Sequence, residues 1–196
     1  MIRGLLLCGG KSTRFGSDKL LAVIESRHPG AGRGPMVVSS ARNLIEGAGN
    51  ALAVIPLGAT DLRRILESAG CDILETKDTQ RGLGASLAAG VAASAGSAGW
   101  IVALGDMPFI RAETIAAIRV ALEGGALIAV PVLAGAGRHG HPVGFARQFE
   151  KELLALDKDE GARSILSKHR ASLATITVDD RGIEADIDTP EDLEGR

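Results

Sequence analysis

The residues best equipped for chemistry stand near the start of the chain, in Leu5-Leu6-Leu7-Cys8-Gly9-Gly10-Lys11-Ser12-Thr13-Arg14-Phe15-Gly16-Ser17-Asp18-Lys19. An apolar run ends in two glycines and opens into a turn that carries Lys11, Arg14 and Lys19. Glycine lets the backbone bend sharply and brings its N–H groups close to an anion. Arg14 offers a planar fork of donors, Lys19 a point charge. A strand feeding such a loop suits a polyphosphate. The simpler alternative is a βα turn whose charges are solvated. A P-loop is excluded by spacing: Gly10-Lys11-Ser12 matches its end, but Leu5 stands where the pattern needs its first glycine. There is no G-x-G-x-x-G here either.

Two acidic positions are the natural complement. The apolar run Trp100-Ile101-Val102-Ala103-Leu104 ends in Gly105-Asp106-Met107-Pro108. Ligands of parallel α/β sheets gather at the carboxyl ends of strands, and a carboxylate there suits a hard cation with phosphates. Toward the end, Asp186 and Asp188 alternate along an extended segment and so share a face. Thr189, Pro190 and Asp192 then read as the cap and first turn of a helix.

Three further stretches have polar groups beside glycines. Gly82-Leu83-Gly84-Ala85-Ser86 leads into a helix, whose N-terminus presents free N–H groups; Ser86 is either a cap or a ligand contact. Gly135 to Phe145 reads as a polar turn with His139 and His141, and no further ligand cluster supports zinc there. Arg163, in Asp159-Glu160-Gly161-Ala162-Arg163, is placed either to bind a phosphate or to pair with Asp159.

Together these stretches resemble the MobA-like NTP transferases, which include the molybdenum cofactor cytidylyl- and guanylyltransferases. Leu7 to Gly16 plus Lys19 resembles the L-A-x-G-x-S-x-R-x-G…K signature, with Cys8 in an alanine slot. Leu104 to Pro108 resembles the metal-binding G-D-x-P element, and Asp186 to Leu193 the D-x-D-T-P-E-D-L ending. Gly-Leu-Gly-Ala-Ser-Leu, Gly-His-Pro-Val-Gly-Phe and the Asp159–Arg163 stretch are similar to segments of the cytidylyl branch.

The resemblance implies a three-layer α/β/α Rossmann-like nucleotidyltransferase fold with a mostly parallel sheet. It implies catalytic Arg14, Lys19 and Asp106, and Mg²⁺ between Asp106 and Asp188, with Asp186 the second choice. Nucleotide binding would fall to Leu7, Cys8, Gly9, Gly10, Lys11, Ser12, Arg14, Lys19, Gly82, Gly84 and Ser86. His141, Pro142 and Arg163 would face the acceptor. The implied reaction moves CMP from CTP to the phosphate of molybdenum-loaded molybdopterin and releases pyrophosphate. Gly9 is the guanylyl branch's residue, where the cytidylyl branch commonly has alanine, so GTP is the alternative nucleotide. Another phosphorylated acceptor is a second alternative. A non-catalytic carrier serving a molybdenum hydroxylase is a third, and that hydroxylase would be the partner.

The rest of the chain must position these groups. With 196 residues it is long enough for one domain with a full core, read as 1–196. A net charge of −2 and the absence of tyrosine give no footprint for nucleic acid. No run approaches a membrane span, and two isolated cysteines fit a reduced, cytoplasmic setting. Ile2 to Leu7 reads as the first strand, and Leu20 to Val23 as buried. Ser26 to Pro35 is too rich in turn residues for a helix or strand, and departs from the short turn usual in the resembled family. Helices are expected over Met36–Glu46, Asp61–Leu66, Ala88–Ala92, Glu113–Leu122, Arg147–Leu156 and Ser164–His169. Strands are expected over Ala51–Ile55, Asp72–Leu74, Trp100–Leu104 and Ala126–Val132. Strands alternating with helices imply parallel pairing and right-handed crossovers.

Overall fold

The computed structural model describes residues 1–9, 19–25, 33–135 and 137–187. Strand β1 (Ile2–Leu7) is apolar almost throughout, so it belongs where both faces are covered. It pairs in parallel with β4 (Leu52–Pro56) on one side and β6 (Gly99–Leu104) on the other. The sheet continues through β5 (Asp72–Thr76), β7 (Ile128–Leu133), β8 (Val143–Ala146) and β9 (Leu173–Val178) in the order β5-β4-β1-β6-β8-β7-β9. Only β8 runs against its neighbours.

Alternation along β1 divides the core. Ile2 and Leu6 face a cluster with Val37, Ala41 and Leu44 of α1 (Met36–Ala48), Leu62 and Leu66 of α2 (Thr60–Ser68), and Ile115 and Ile118 of α4 (Ala112–Glu123). Leu5 and Leu7 face the other cluster, with Leu87 and Val91 of α3 (Leu83–Ala93), Leu153 of α5 (Glu150–Leu154) and Ile165 of α6 (Arg163–Lys168). The result is the expected α/β/α arrangement, a mostly parallel, Rossmann-like sheet with helices on both faces.

Several local expectations change. Of the stretch Leu20 to Val23, expected to be buried, Leu20, Leu21 and Ala22 are half-buried and Val23 is exposed, because β2 (Val23–Glu25) pairs with β3 (Arg33–Pro35) in a separate two-stranded sheet. Arg33–Pro35 is thus a strand despite its turn-type residues: antiparallel pairing with β2 satisfies its backbone. Residues 26–32 lie outside the described residues. Val143 to Phe145, read as part of a turn, forms β8. The strand lies between β6 and β7, and its alternating Val143 and Phe145 are buried in the second core cluster. Arg147–Phe149 is a 3₁₀ turn that precedes α5.

Candidate nucleotide and cation site

The chain leaves β1 toward β4 on one side and later returns to β6 on the other. Such a reversal opens a crevice at the carboxyl ends of the two strands. Cys8 and Gly9 end one lip, Gly105 and Asp106 the other, joined by the bond from Gly105 N to Leu7 O at 3.0 Å. Helix α1 braces the second lip. Ser40 Oγ donates to Gly105 O at 2.9 Å, and Asn43 Nδ2 to Pro108 O at 3.0 Å. Both are buried polar residues of α1, as is Ser39, among the apolar Met36, Val37, Ala41 and Leu44. The sequence analysis singled out neither of them; their signal was a polar side chain at the period of the apolar stripe.

Lys19 opens a 3₁₀ turn, Lys19–Leu21, and its Nζ lies 3.0 Å from Asp106 Oδ2. The pair joins residues far apart in sequence at the mouth of the crevice. Its side chains are 10% and 28% exposed, so it is shielded but open to a ligand on the aspartate side. Two of the expected catalytic residues are thereby in contact. Arg14, Gly10, Lys11 and Ser12 fall outside the described residues, as does Asp188.

Gly9 sits against the start of α3. A Cβ there would lie 3.0 Å from both Ser86 Oγ and Thr79 Cβ, so a methyl would force its neighbours apart. Ser86 is fully buried and is not the helix cap: its Oγ donates to Gly82 O at 2.9 Å, one turn back. Gly82 has a φ of +122°, which only glycine adopts easily. A Cβ on Gly82 would overlap Asp159 and the Lys158 carbonyl, and one on Gly84 would press on the Asp157 carbonyl. The close approach at these two glycines is thus made by the chain's own 157–159 turn. Arg81 reinforces it, donating to Asp78 at 2.9 Å and to Asp157 at 2.8 Å.

On the other side of Asp106 lies an open cavity of about 1240 Å³, with His141, Arg163, Arg181 and Asp186 on its wall. Arg163 is exposed, and both it and Asp159 line the cavity. His141 is held by its N–H, which donates to Ile183 O at 2.9 Å, and its peptide bond to the buried Pro142 is cis. Its Nδ1 is buried without a hydrogen-bond partner among the described residues. Burial pushes the imidazole pKa below its ordinary value, outweighing the opposing pull of the Asp106 carboxylate, so the ring is neutral at pH 7. Arg138 and Glu184 pair across the rim at 2.9 Å.

The chain's far end comes back to this place. Asp180, 2% exposed, accepts from Arg111 N at 2.8 Å, Thr114 Oγ1 at 2.7 Å and Gly182 N at 2.9 Å. Ile187 N donates to Asp106 O at 3.2 Å. Sequence reasoning did not single out Asp180; its only signal was the Asp-x-Gly turn pattern. Among the described residues no group of three or more His, Cys, Asp and Glu could hold a metal ion by itself. The fit to a hard cation rests on Asp106, an accessible oxygen donor, and on the hydrogen bond that brings the aspartate-bearing C-terminal segment to it. No helix of the described residues is long and apolar enough to cross a membrane.

Comparisons with solved structures agree with this fold. Among solved structures, Rv0371c from Mycobacterium tuberculosis H37Rv superposes with a TM-score of 0.81 and 25% identity, over 99% of this chain and 97% of that one. A manganese complex of the same mycobacterial protein gives 0.77 and 23%, over 100% and 99%. Molybdopterin-guanine dinucleotide biosynthesis protein A from Archaeoglobus fulgidus gives 0.62 and 17%, over 98% and 95%. No curated protein sequence matches significantly. The profile of the MobA-like NTP transferase domain matches residues 4–173, and the chain belongs to that family.

Proposed function

We propose that this nucleotidyltransferase, acting as one domain over residues 1–196, transfers CMP from CTP to the phosphate of molybdenum-loaded molybdopterin and releases pyrophosphate. The observation that carries the reading is the meeting of Lys19 and Asp106, 3.0 Å apart, at the crevice between β1 and β6. Phosphoryl and nucleotidyl transfer ask for positioning and charge neutralisation more than for covalent catalysis. A buried lysine beside a strand-end carboxylate provides charges of both signs where a triphosphate would lie.

Lys19 and Arg14 bind the phosphates and stabilise charge that develops on the leaving pyrophosphate. The loop from Leu7 through Cys8, Gly9, Gly10, Lys11 and Ser12 offers N–H groups to the nucleotide, and the start of α3 at Gly82, Gly84 and Ser86, expected at the nucleotide, acts by supporting Gly9 from behind. Asp106 and Asp188, with Asp186 as the alternative partner, are the residues that would hold Mg²⁺. A divalent cation there supplies charge neutralisation on the phosphates. The manganese complex of the mycobacterial neighbour supports a divalent ion in this fold. His141, Pro142 and Arg163 orient the acceptor, and Arg163 takes an anionic group in the cavity. A reduced, cytoplasmic setting suits the two buried cysteines, Cys8 and Cys71.

One residue favours GTP by resemblance, namely Gly9. Its glycine is already accounted for by packing, since a methyl would crowd Ser86 and Thr79. Packing is thus a second reason for the glycine beside base choice, and the two longer cytidylyl-like segments support CTP. The deciding assay is pyrophosphate release by the purified protein with Mg²⁺ and molybdenum-loaded molybdopterin, with CTP and GTP in parallel. CTP alone is expected to support release, and Asp106→Ala to abolish it while the circular dichroism spectrum is unchanged. Release with GTP alone would reverse the base assignment. Nucleotide binding without release would point to another acceptor or to a carrier for a molybdenum hydroxylase.

A further inference from the structure

Helix α1 is bonded to the segments that carry both partners of the Lys19–Asp106 pair. At its first residue Met36 N donates to Ala22 O at 2.8 Å, and Ala22 N donates to Lys19 O at 3.1 Å, closing the turn that begins at Lys19. Met36 is fully buried and packs with Phe109, the residue after Pro108, in a small apolar cluster with Ile24 and Ile187. Ser40 stands one turn on, a rise of about 6 Å along the axis, and its Oγ donates to Gly105 O at 2.9 Å. Asn43, a further turn along the same side of the helix, donates to Pro108 O at 3.0 Å. The two bonds bracket Asp106 on its strand-end turn. Within that turn Leu104 O accepts from Met107 N at 3.3 Å, and Asp106 O from Ile187 N at 3.2 Å. Gly105 and Pro108 are buried, so their carbonyls depend on the protein for donors.

We infer that Ser40 and Asn43 are positioning residues, which make α1 the common frame of the two charges and so set the separation of Lys19 and Asp106. Core packing alone would be met by apolar side chains at both places, and a buried hydroxyl or amide is costly unless it is bonded. What these two supply is direction. A single anchor would leave the turn free to pivot about it. Two anchors on one rigid helix, on carbonyls either side of Asp106, fix its tilt as well as its height. The start of the same helix holds the Lys19 turn, so both charges are referred to one element rather than to two loops. The consequence for catalysis rests on the reading that this pair acts on a nucleotide; the geometric inference does not.

Carbodiimide coupling tests it, because the reagent joins an amine to a carboxylate only when the two are in contact. In the purified full chain, without nucleotide, Lys19 and Asp106 should form an amide that peptide mass spectrometry detects, and Asp106→Asn should abolish it. The exposed Lys168–Glu152 pair, also 3.0 Å apart, is the internal reference. A misplacement of about 1 Å can cost about a hundred-fold in the rate of a reaction between held groups. The Ser40→Ala/Asn43→Ala double variant should therefore lose about ten-fold in Lys19–Asp106 product relative to the reference. Each single variant removes one anchor and should lose less, and the two keep the test open if the double variant does not fold. Leu153→Ala, a buried leucine of the other core, should lower the melting temperature and leave the product ratio unchanged. A parent-like ratio in the folded Ser40 and Asn43 variants would overturn the inference, as would an equal loss in Leu153→Ala or no product from the parent. The same variants should lose kcat in pyrophosphate release with CTP. A fallen ratio with kcat unchanged would leave the frame standing and remove the pair from nucleotidyl transfer.

Discussion

Replacing Asp180 tests how the C-terminal segment is secured. The carboxylate is 2% exposed and accepts three hydrogen bonds, from Arg111 N, Thr114 Oγ1 and Gly182 N, at 2.7 to 2.9 Å. Asp180→Ala strands two backbone N–H groups and a hydroxyl. An unsatisfied buried donor costs roughly 1–3 kcal/mol, and the hydroxyl can turn to another acceptor, so the total is about 3–5 kcal/mol. For a chain of this length each kcal/mol lowers the melting temperature by roughly 2–4 °C, which makes the expected fall about 10 °C. Asp180→Asn keeps one acceptor oxygen and should lose about half as much. Thermal unfolding followed by circular dichroism reads the difference directly. A melting temperature for Asp180→Ala within about 2 °C of the parent would show that these bonds are no stronger than those made to water, and the accounting would be wrong.

Three other substitutions or conditions separate packing from electrostatics. Gly9→Ala places a methyl 3.0 Å from Ser86 Oγ and Thr79 Cβ, and should cost about 1–3 kcal/mol in urea unfolding; a neutral result would return Gly9 to the base-selectivity argument. Burial pushes the Cys71 thiol up to about 11, from 9.0. Its contribution to stability is present below pH 9.0 and is lost as pH rises toward 11, so the folded protein should resist alkylation at Cys71 at pH 8 until denaturant is added. Bonds from Lys168 first and His169 second hold the Glu152 carboxyl below its ordinary value of 4.5. That contribution is present above pH 4.5 and is lost as pH falls through the depressed value, so Glu152→Gln should flatten the acid limb of a melting-temperature profile. An unchanged acid limb would place the bridge among the exposed pairs that contribute little.

Much of this molecule was readable from residue order. Apolar runs of strand length followed by glycine and a charged residue marked β1 with its loop and β6 with Asp106, because a buried parallel strand must be apolar throughout and must end where polar groups can emerge. The helices over Met36–Ala48 and Ala112–Glu123 announced themselves by period, since each turns one apolar stripe to the sheet. Strand β8 did not, because Val143 to Ala146 is only four residues long and follows Gly-His-Pro; its identity comes from the gap it fills between β6 and β7. Strand β3 was hidden likewise, as no propensity favours Arg-Gly-Pro and only pairing with β2 extends it.

The division runs between chemistry carried by neighbours along the chain and chemistry carried by neighbours across it. Residue types and local spacing determined the layered α/β architecture, the Gly-rich cationic loop and the strand-end aspartate, because each depends on a few consecutive residues. Folding alone brought Lys19 to Asp106, seated Ile187 among Ile24, Met36 and Phe109, and set Asp180 beneath Arg111 and Thr114. Lys19 and Asp106 stand 87 positions apart in the chain, and Ile187 meets Ile24 from farther still. Such contacts depend on which crossovers the sheet selects, and no local pattern encodes that choice.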